Sequence, residues 1–222
     1  MNISIFEVTG PVMIGPSSSH TAGAARLARA AAMIVTAPFT HVTFGLHGSF
    51  AKTYRGHGTD KALVAGVLGL GADDERLRDA FTLARERGLT YDFREADLKG
   101  MHENSVRMEF TLTDGSVRRV AGSSIGGGQI LICEIDGIQL ELSAQLPTLV
   151  IRQYDKKGVV SNVTRVLANH DINIGVMKVS RTSKGREALC VIETDNPLTQ
   201  ETVDLVRAQD NIISVQALNP DV

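Results

Sequence analysis

Apolar residues in the last third of the chain alternate between strand-like and helix-like spacing. Valine and leucine at positions 159, 163, 166 and 167 recur at helical intervals, and the apolar runs on either side have the character of strands. The predicted strands cover residues 148–153, 172–180, 187–193 and 212–218, and the predicted helices cover residues 159–167 and 197–208. This βαββαβ order predicts a ferredoxin-like unit with both helices on one face of a four-stranded antiparallel sheet.

The earlier part of the chain mixes the two patterns without a simple repeat. Its predicted strands cover residues 42–46, 106–112, 116–121, 129–135 and 138–142, and its predicted helices cover residues 21–35, 59–70 and 74–87. An α+β fold is therefore predicted for this part as well. Because Pro147 separates the strand-like runs on either side of it, we expect two domains, residues 1–145 and residues 148–222.

Composition excludes several classes of protein. With 43% hydrophobic and 22% charged residues, the chain has the make-up of an ordinary globular protein. A net charge of −2 gives no excess positive field for a phosphate backbone, so nucleic acid is not an expected partner. The first ten residues lack a leader pattern, and glycines interrupt the longest apolar stretch, residues 63–72. We therefore expect a cytoplasmic protein with no membrane partner.

Cys133 and Cys190 are the two cysteines of the chain. Two thiols cannot supply the four thiolates that usually hold an iron–sulfur cluster. Free cysteine is among the most buried residue types, so both are interpreted as small core residues. No metal ligand is assigned to this chain.

The strongest local signal for chemistry is the run GPSSSHT at residues 15–21, directly before an alanine-rich helix. Serine hydroxyls and the free N–H groups of a helix start favour a carboxylate or phosphate ligand. Ser17, Ser18 and Ser19 are the candidate ligand-binding residues, and His20 completes the run. The alternative is that one serine caps the helix while the others are solvated.

Three further loops carry candidate groups. In GHGTD, residues 56–60, glycines flank His57, so this histidine can approach a ligand and exchange protons, and Thr59 begins the next helix. HENS, residues 102–105, supplies His102 and Asn104, and SIGGG, residues 124–128, indicates a close approach of backbone to a ligand or another chain. The alternatives are ordinary turns and loop polarity. His41 and His170 lack such surroundings and are treated as structural or solvated.

These residues form no recognised nucleophile triad, and the Walker and His-Glu-x-x-His patterns are absent. What they offer is hydrogen-bonding groups and histidines without a strong electrophile. As a set, the four motifs and the βαββαβ tail resemble the beta subunit of iron–sulfur-dependent L-serine dehydratase, an L-serine ammonia-lyase, in its two-chain form. The resemblance covers essentially the whole chain; Glu103 stands where the family often has proline.

The resemblance implies an allosteric-substrate-binding-like first domain and an ACT domain as the second. It implies that a separate alpha subunit carries a 4Fe-4S cluster, whose open iron acts as a Lewis acid on the hydroxyl of L-serine. The substrate carboxylate is assigned to the three serines, and His20, His57 and Thr59 are placed around the reacting carbons, with a histidine or an activated Thr59 as the base. The remaining residues assigned to substrate binding are His102, Asn104, Gly126 and Gly127.

An ACT domain usually pairs side by side with a second copy and can bind an amino acid at the interface. The resemblance assigns that ligand to a loop with Asp155, Gly158 and Val159, faced by Asn173 and Ile174. Pure dimerisation is the alternative, and self-association through this domain is expected in both cases. For the whole chain, two other functions stay open: a non-catalytic amino-acid sensor that regulates a partner, and an enzyme acting on phosphate esters.

Overall fold

A computed structural model describes residues 13–219. Residues 1–12, which carry the expectation about a leader, and residues 220–222 lie outside the described part. The chain divides into two compact units after Asp136, so a short strand over Ile138–Leu142 groups with the second unit. The domain bounds 1–145 and 148–222 stay predictions. None of the helices between residues 13 and 219 is long and apolar enough to cross a bilayer.

The first unit combines a mixed sheet with helices. Its strands are β1 (Phe39–Leu46), β2 (Thr90–Glu95), β3 (Ser105–Leu112), β4 (Val117–Gly126) and β5 (Gln129–Ile135), in the order β2-β1-β3-β4-β5. Strands β1 and β2 are parallel, and the other neighbours are antiparallel. The helices are a π-helical turn (Ser18–Gly23), α1 (Ala24–Val35), α2 (Gly48–Thr53), α3 (Thr59–Val67), a 3₁₀ turn (Glu75–Asp79) and α4 (Ala80–Glu86).

Small residues allow helix α1 to lie unusually close to its neighbours. A Cβ atom added to Gly66 of α3 would lie 2.3 Å from the carbonyl oxygen of Ala25. On the sheet side, a Cβ atom on Gly122 of β4 would lie 2.7 Å from Leu27. The turn and α1 contain seven alanines. Ala32 is half-buried, and the other six are buried: Ala22, Ala24, Ala25, Ala28, Ala30 and Ala31. This packing fixes the serine-rich start of the helix against the sheet.

Two elements of the first unit were not predicted, namely α2 and β2. Helix α2 has six residues, fewer than two turns, so it is too short to display a helical period. Strand β2 is largely exposed and carries polar residues at alternate positions, so no apolar run marks it. The predicted helix over 74–87 begins as the 3₁₀ turn and becomes α-helical at Ala80.

The second unit has the predicted βαββαβ order. After β6 (Ile138–Leu142) come β7 (Thr148–Tyr154), α5 (Val159–Asn169), β8 (Ile174–Arg181), β9 (Glu187–Thr194), α6 (Gln200–Arg207) and β10 (Ile212–Leu218). The four-stranded sheet has the order β10-β7-β9-β8. Alternate residues of its strands pack with Val163, Leu167, Val203 and Val206 in one core, so both helices cover the same face. The ferredoxin-like prediction is confirmed.

Candidate active site

The serine run forms the start of the π-helical turn. The Ser17 hydroxyl accepts a hydrogen bond from the backbone N–H of His20 at 3.1 Å, and the Ser17 carbonyl accepts from Thr21 at 2.9 Å. Ser17 is therefore the cap that the alternative interpretation required. Ser18 and Ser19 are half-buried. Because the first N–H groups of a helix lack intrahelical partners, this end remains suited to an anion.

The imidazole of His20 is held at both nitrogens. Nδ1 lies 3.1 Å from the Ser19 hydroxyl, and Nε2 lies 3.1 Å from the Ser49 hydroxyl. Its ring meets the His57 ring edge-on, with 4.8 Å between centroids, and contacts the Phe50 ring at 5.3 Å. The structure thus places the first two predicted loops side by side, with two histidine rings in contact.

The pKa of His20 is lowered from its ordinary value. Burial of the imidazole is the largest cause, and repulsion from His57 adds to it, while the carboxylate of Glu103 acts in the opposite direction. The ring is therefore more often neutral near pH 7 than a solvated histidine. A neutral imidazole has a nitrogen that can accept a proton, which is what a general base needs.

The second loop is attached to the first helix. The Thr21 hydroxyl donates to the His57 carbonyl at 3.1 Å, and Gly58 takes a left-handed φ of 69° before α3 begins. The His57 side chain is exposed, whereas Thr59 is fully buried. The Thr59 hydroxyl has no hydrogen-bond partner in the described part of the chain. A buried hydroxyl without a partner costs stability, which marks the Thr59 hydroxyl as a candidate functional group of this loop.

The third loop packs on the start of α2. The Glu103 carbonyl accepts from Ser49 N–H at 2.8 Å, and a Cβ atom on Gly48, which has φ of 57°, would lie 2.6 Å from the same oxygen. His102 is exposed, and its Nδ1 accepts from Asn104 N–H at 3.1 Å. Asn104 is buried, with its side-chain oxygen lacking a partner among the described residues.

The fourth motif reaches this region through Ser124. Its N–H donates to the Asn104 carbonyl at 2.9 Å, and its side chain contacts Gly23, where an added Cβ would lie 2.0 Å from the hydroxyl oxygen. Gly126 ends β4 and Gly127 begins the β4–β5 turn, with φ of 101° and 60°, and a Cβ on either would meet nothing within 4 Å. Their left-handed backbone accounts for both glycines within this chain. Their role in substrate binding stays a prediction.

The structure therefore joins the four predicted motifs in one region of the first unit. The sequence motifs assign no role to Ser49 or Phe50, which contact His20. The signal available was the HGS sequence directly after β1, where a polar loop follows a buried strand.

Neither cysteine belongs to a cluster site. Cys190 is buried in the core of the second unit, and burial raises the pKa of its thiol to about 11. Cys133 is half-buried on β5, where its sulfur lies 3.5 Å from the carbonyl oxygen of Leu131. Between residues 13 and 219 no three His, Cys, Asp or Glu side chains are grouped so that they could hold a metal ion. These donors do not fit an iron–sulfur cluster held by this chain.

The residues assigned to an ACT ligand fall into two groups within one chain. Asp155, in the loop with Gly158 and Val159, accepts from Gly185 N–H and from Arg181, and these bonds hold the pKa of Asp155 below its ordinary value. Asn173 donates to Asp195 at 2.6 Å and lines a groove beside α5 with Ile174. Strand β8 separates the groups by about 20 Å at some 3.3 Å per residue. One chain does not bring them together, contrary to the expectation that they face each other.

Sequence comparison relates most of the chain to known proteins. Residues 4–86 match the family described as serine dehydratase beta chain, and residues 148–211 match the ACT domain. The L-serine dehydratase beta chain of Peptoniphilus asaccharolyticus is 42% identical over 198 residues, which are 89% of each chain. The chain belongs to the serine dehydratase beta chain family.

A second member of the family extends the match to nearly the full length. The probable L-serine dehydratase beta chain of Bacillus subtilis is 40% identical over 212 residues, 96% of each chain. A D-3-phosphoglycerate dehydrogenase of the same organism is 28% identical over 183 residues, which cover 82% of this chain but 34% of that enzyme. Family membership and the ACT match confirm the resemblance drawn from the motifs and the α+β fold class.

Proposed function

We propose that this chain is the beta subunit of a cytoplasmic L-serine ammonia-lyase that converts L-serine to pyruvate and ammonia with a separate alpha subunit. The observation that carries the proposal is the meeting of the serine-rich helix start with His20, His57 and the Asn104 loop. By the resemblance, the 4Fe-4S cluster of the alpha subunit supplies the Lewis acid for the departing hydroxide. This chain supplies the groups that hold the amino acid and move protons.

The start of the π-helical turn is suited to the carboxylate of serine. Ser18 and Ser19 offer backbone N–H groups and hydroxyls at the positive end of a helix that continues through α1. The Ser105 hydroxyl of the same loop donates to the His102 carbonyl. Asn104, whose buried side-chain oxygen has no partner among the described residues, is therefore the group that we assign to the ammonium end.

Proton transfer is assigned to the pair of histidines. A neutral imidazole takes the α-proton; the electron pair of the broken Cα–H bond forms the double bond, and the Cβ–O bond breaks to release hydroxide. The resulting aminoacrylate tautomerises and hydrolyses to pyruvate and ammonia. His20 and His57 are candidates for the base, and Thr59 is a third if a histidine activates its hydroxyl. A site that only senses an amino acid needs no such set of proton-transfer groups.

Replacing Ser18 by alanine tests the carboxylate assignment. We expect the concentration of L-serine at half-saturation to rise about tenfold or more, because a hydrogen bond to a charged group contributes about 1.5–3 kcal/mol. Turnover should change little, since the carboxylate is bound in the ground and transition states alike. Steady-state kinetics of the two-chain enzyme measures both quantities, with Ser183→Ala, in an exposed turn, as the control. A lower turnover at unchanged half-saturation would place Ser18 at the reacting carbons instead.

We propose that two copies of this chain associate through β8, an edge strand of the four-stranded sheet. Met177 and Val179 lie opposite Ile192 and Cys190, on the face that the helices cover, yet they are 41% and 46% exposed. Antiparallel pairing of two β8 strands would cover them. It would also bring Asn173 of one copy beside the 155–159 loop of the other, which would assemble the ACT ligand site at the interface.

The double variant Met177→Lys, Val179→Lys tests this pairing. Two copies of the variant would bring four lysines face to face at one interface, where they repel. We therefore expect each pair of copies to separate, so that the assembly holds one copy of this chain where it held two. Sedimentation of the two-chain enzyme measures the mass. Val117→Lys, a comparably exposed valine of the first unit, is the control. An unchanged mass for the double variant would assign the contact to another surface.

A further inference from the structure

Ser49 occupies a fixed place between two of the motifs. It is the second residue of α2, and its backbone N–H donates to the Glu103 carbonyl at 2.8 Å. Gly48 permits this approach, because a Cβ there would lie 2.6 Å from the same carbonyl oxygen. The Thr53 hydroxyl donates to the Ser49 carbonyl at 2.8 Å. The backbone of Ser49 is therefore set by the third loop and by its own helix.

The Ser49 side chain is directed at His20. Its hydroxyl lies 3.1 Å from Nε2, while the Ser19 hydroxyl lies 3.1 Å from Nδ1. A neutral imidazole has one donor and one acceptor nitrogen, so one serine must accept and the other must donate. Ser19 is the chain neighbour of His20 and moves with it. Ser49 is 29 residues away and fixes the ring from a separate element.

We propose that Ser49 is a positioning residue of the active site, which holds Nε2 of His20 and so sets the orientation and the tautomer of that ring. Through the Glu103 carbonyl it also connects the His102–Asn104 loop to the histidine. The inference rests on the proposed function insofar as His20 takes part in proton transfer. Ser49 acts through His20 and need not touch the substrate.

The test compares Ser49→Ala, which deletes the hydroxyl, with Ser49→Cys, which keeps a side chain of similar size but a weak hydrogen-bonding group. Ser183→Ala is the matched control. In the two-chain enzyme we expect turnover to fall about five- to tenfold in both variants, the scale of one lost hydrogen bond, with half-saturation changed less than about twofold. A rise in the L-serine concentration at half-saturation without a fall in turnover would overturn the proposal, because it would place Ser49 in substrate binding.

A second readout needs no catalytic activity. In the ¹⁵N-labelled full chain, NMR of the imidazole nitrogens reports the tautomer and the titration of His20, which faces His57 and Glu103. We expect both to change in the Ser49 variants, while His170, whose Nδ1 lies 2.8 Å from the Val166 carbonyl, stays as in the parent chain. Unchanged His20 signals would contradict the positioning role even in an enzyme that proves to be a serine lyase. Changed signals in a chain without lyase activity would support it while the proposed function fails.

Discussion

Replacing His57 by alanine is expected to lower turnover of the two-chain enzyme by about 10²-fold or more. His57 is exposed at a glycine-flanked loop, and its ring contacts that of His20, so it stands where a proton can pass to or from a bound amino acid. Loss of a general acid or base typically costs 10²–10⁴-fold. Pyruvate release from saturating L-serine measures the effect.

His41→Ala is the matched control for this variant. His41 bonds the Asp92 carboxylate at 2.8 Å and the Thr90 hydroxyl at 2.8 Å, and none of its hydrogen bonds to described residues involves His20 or His57. We expect its turnover to stay within about twofold of the parent enzyme, because a surface substitution usually changes stability by no more than about 0.5 kcal/mol. If the two histidine variants were equally active, the assignment of the GHGTD loop to proton transfer would be wrong.

Thr59→Val is expected to separate activity from stability. The Thr59 hydroxyl is fully buried and lacks a partner among the described residues, and valine has nearly the same shape. Removing the unpaired hydroxyl should leave the free energy of unfolding unchanged or raise it by about 1 kcal/mol. If the hydroxyl bonds a reacting group in the complex, turnover should nevertheless fall about 10²-fold.

Thr59→Ser serves as the companion variant, because it keeps the hydroxyl and removes a methyl group. It should retain most of the turnover and lose stability, by about 1 kcal/mol for one buried methyl group. Thermal unfolding of this chain and kinetics of the two-chain enzyme measure the two effects. Full activity of Thr59→Val would show that the hydroxyl has no part in the reaction and that Thr59 is a packing residue.

The helices of the second unit were predictable because each of them buries one face. Helix α5 carries Val163 and Leu167 at helical spacing, whereas β9 is a short, nearly continuous apolar run that is buried on both faces and bounded by polar segments. The polar segments between them mark the turns. The same logic found α1, whose alanines are buried against α3 and the sheet.

The contacts of the site were less accessible to sequence reasoning. Ser49 lies in a helix of six residues, and its partner Glu103 is more than fifty positions away, so no local pattern connects them. The motifs could be recognised one by one, but their convergence on His20 depends on how β1 and β3 pair in the sheet. Sequence spacing carries no information about such a pairing partner.

Glycine patterns were the least decisive signal. The run at residues 126–128 indicates a close approach of backbone to a ligand or another chain, and its positive φ at all three positions also favours glycine. Gly48 shows the opposite case, because there a side chain would collide with the Glu103 carbonyl. Both causes select glycine, so the residue type alone does not distinguish them.

Reconstitution is the most direct test of the proposal that this chain and an alpha chain catalyse the reaction together. Pyruvate formation from L-serine is measured under anaerobic conditions with this chain alone, with an L-serine dehydratase alpha chain alone, and with the two combined. The account predicts that this chain by itself is colourless and inactive, because it lacks the thiolates for a cluster, and that the combined chains are active. Activity of this chain alone, or no activity from the combined chains with an intact cluster, would contradict it.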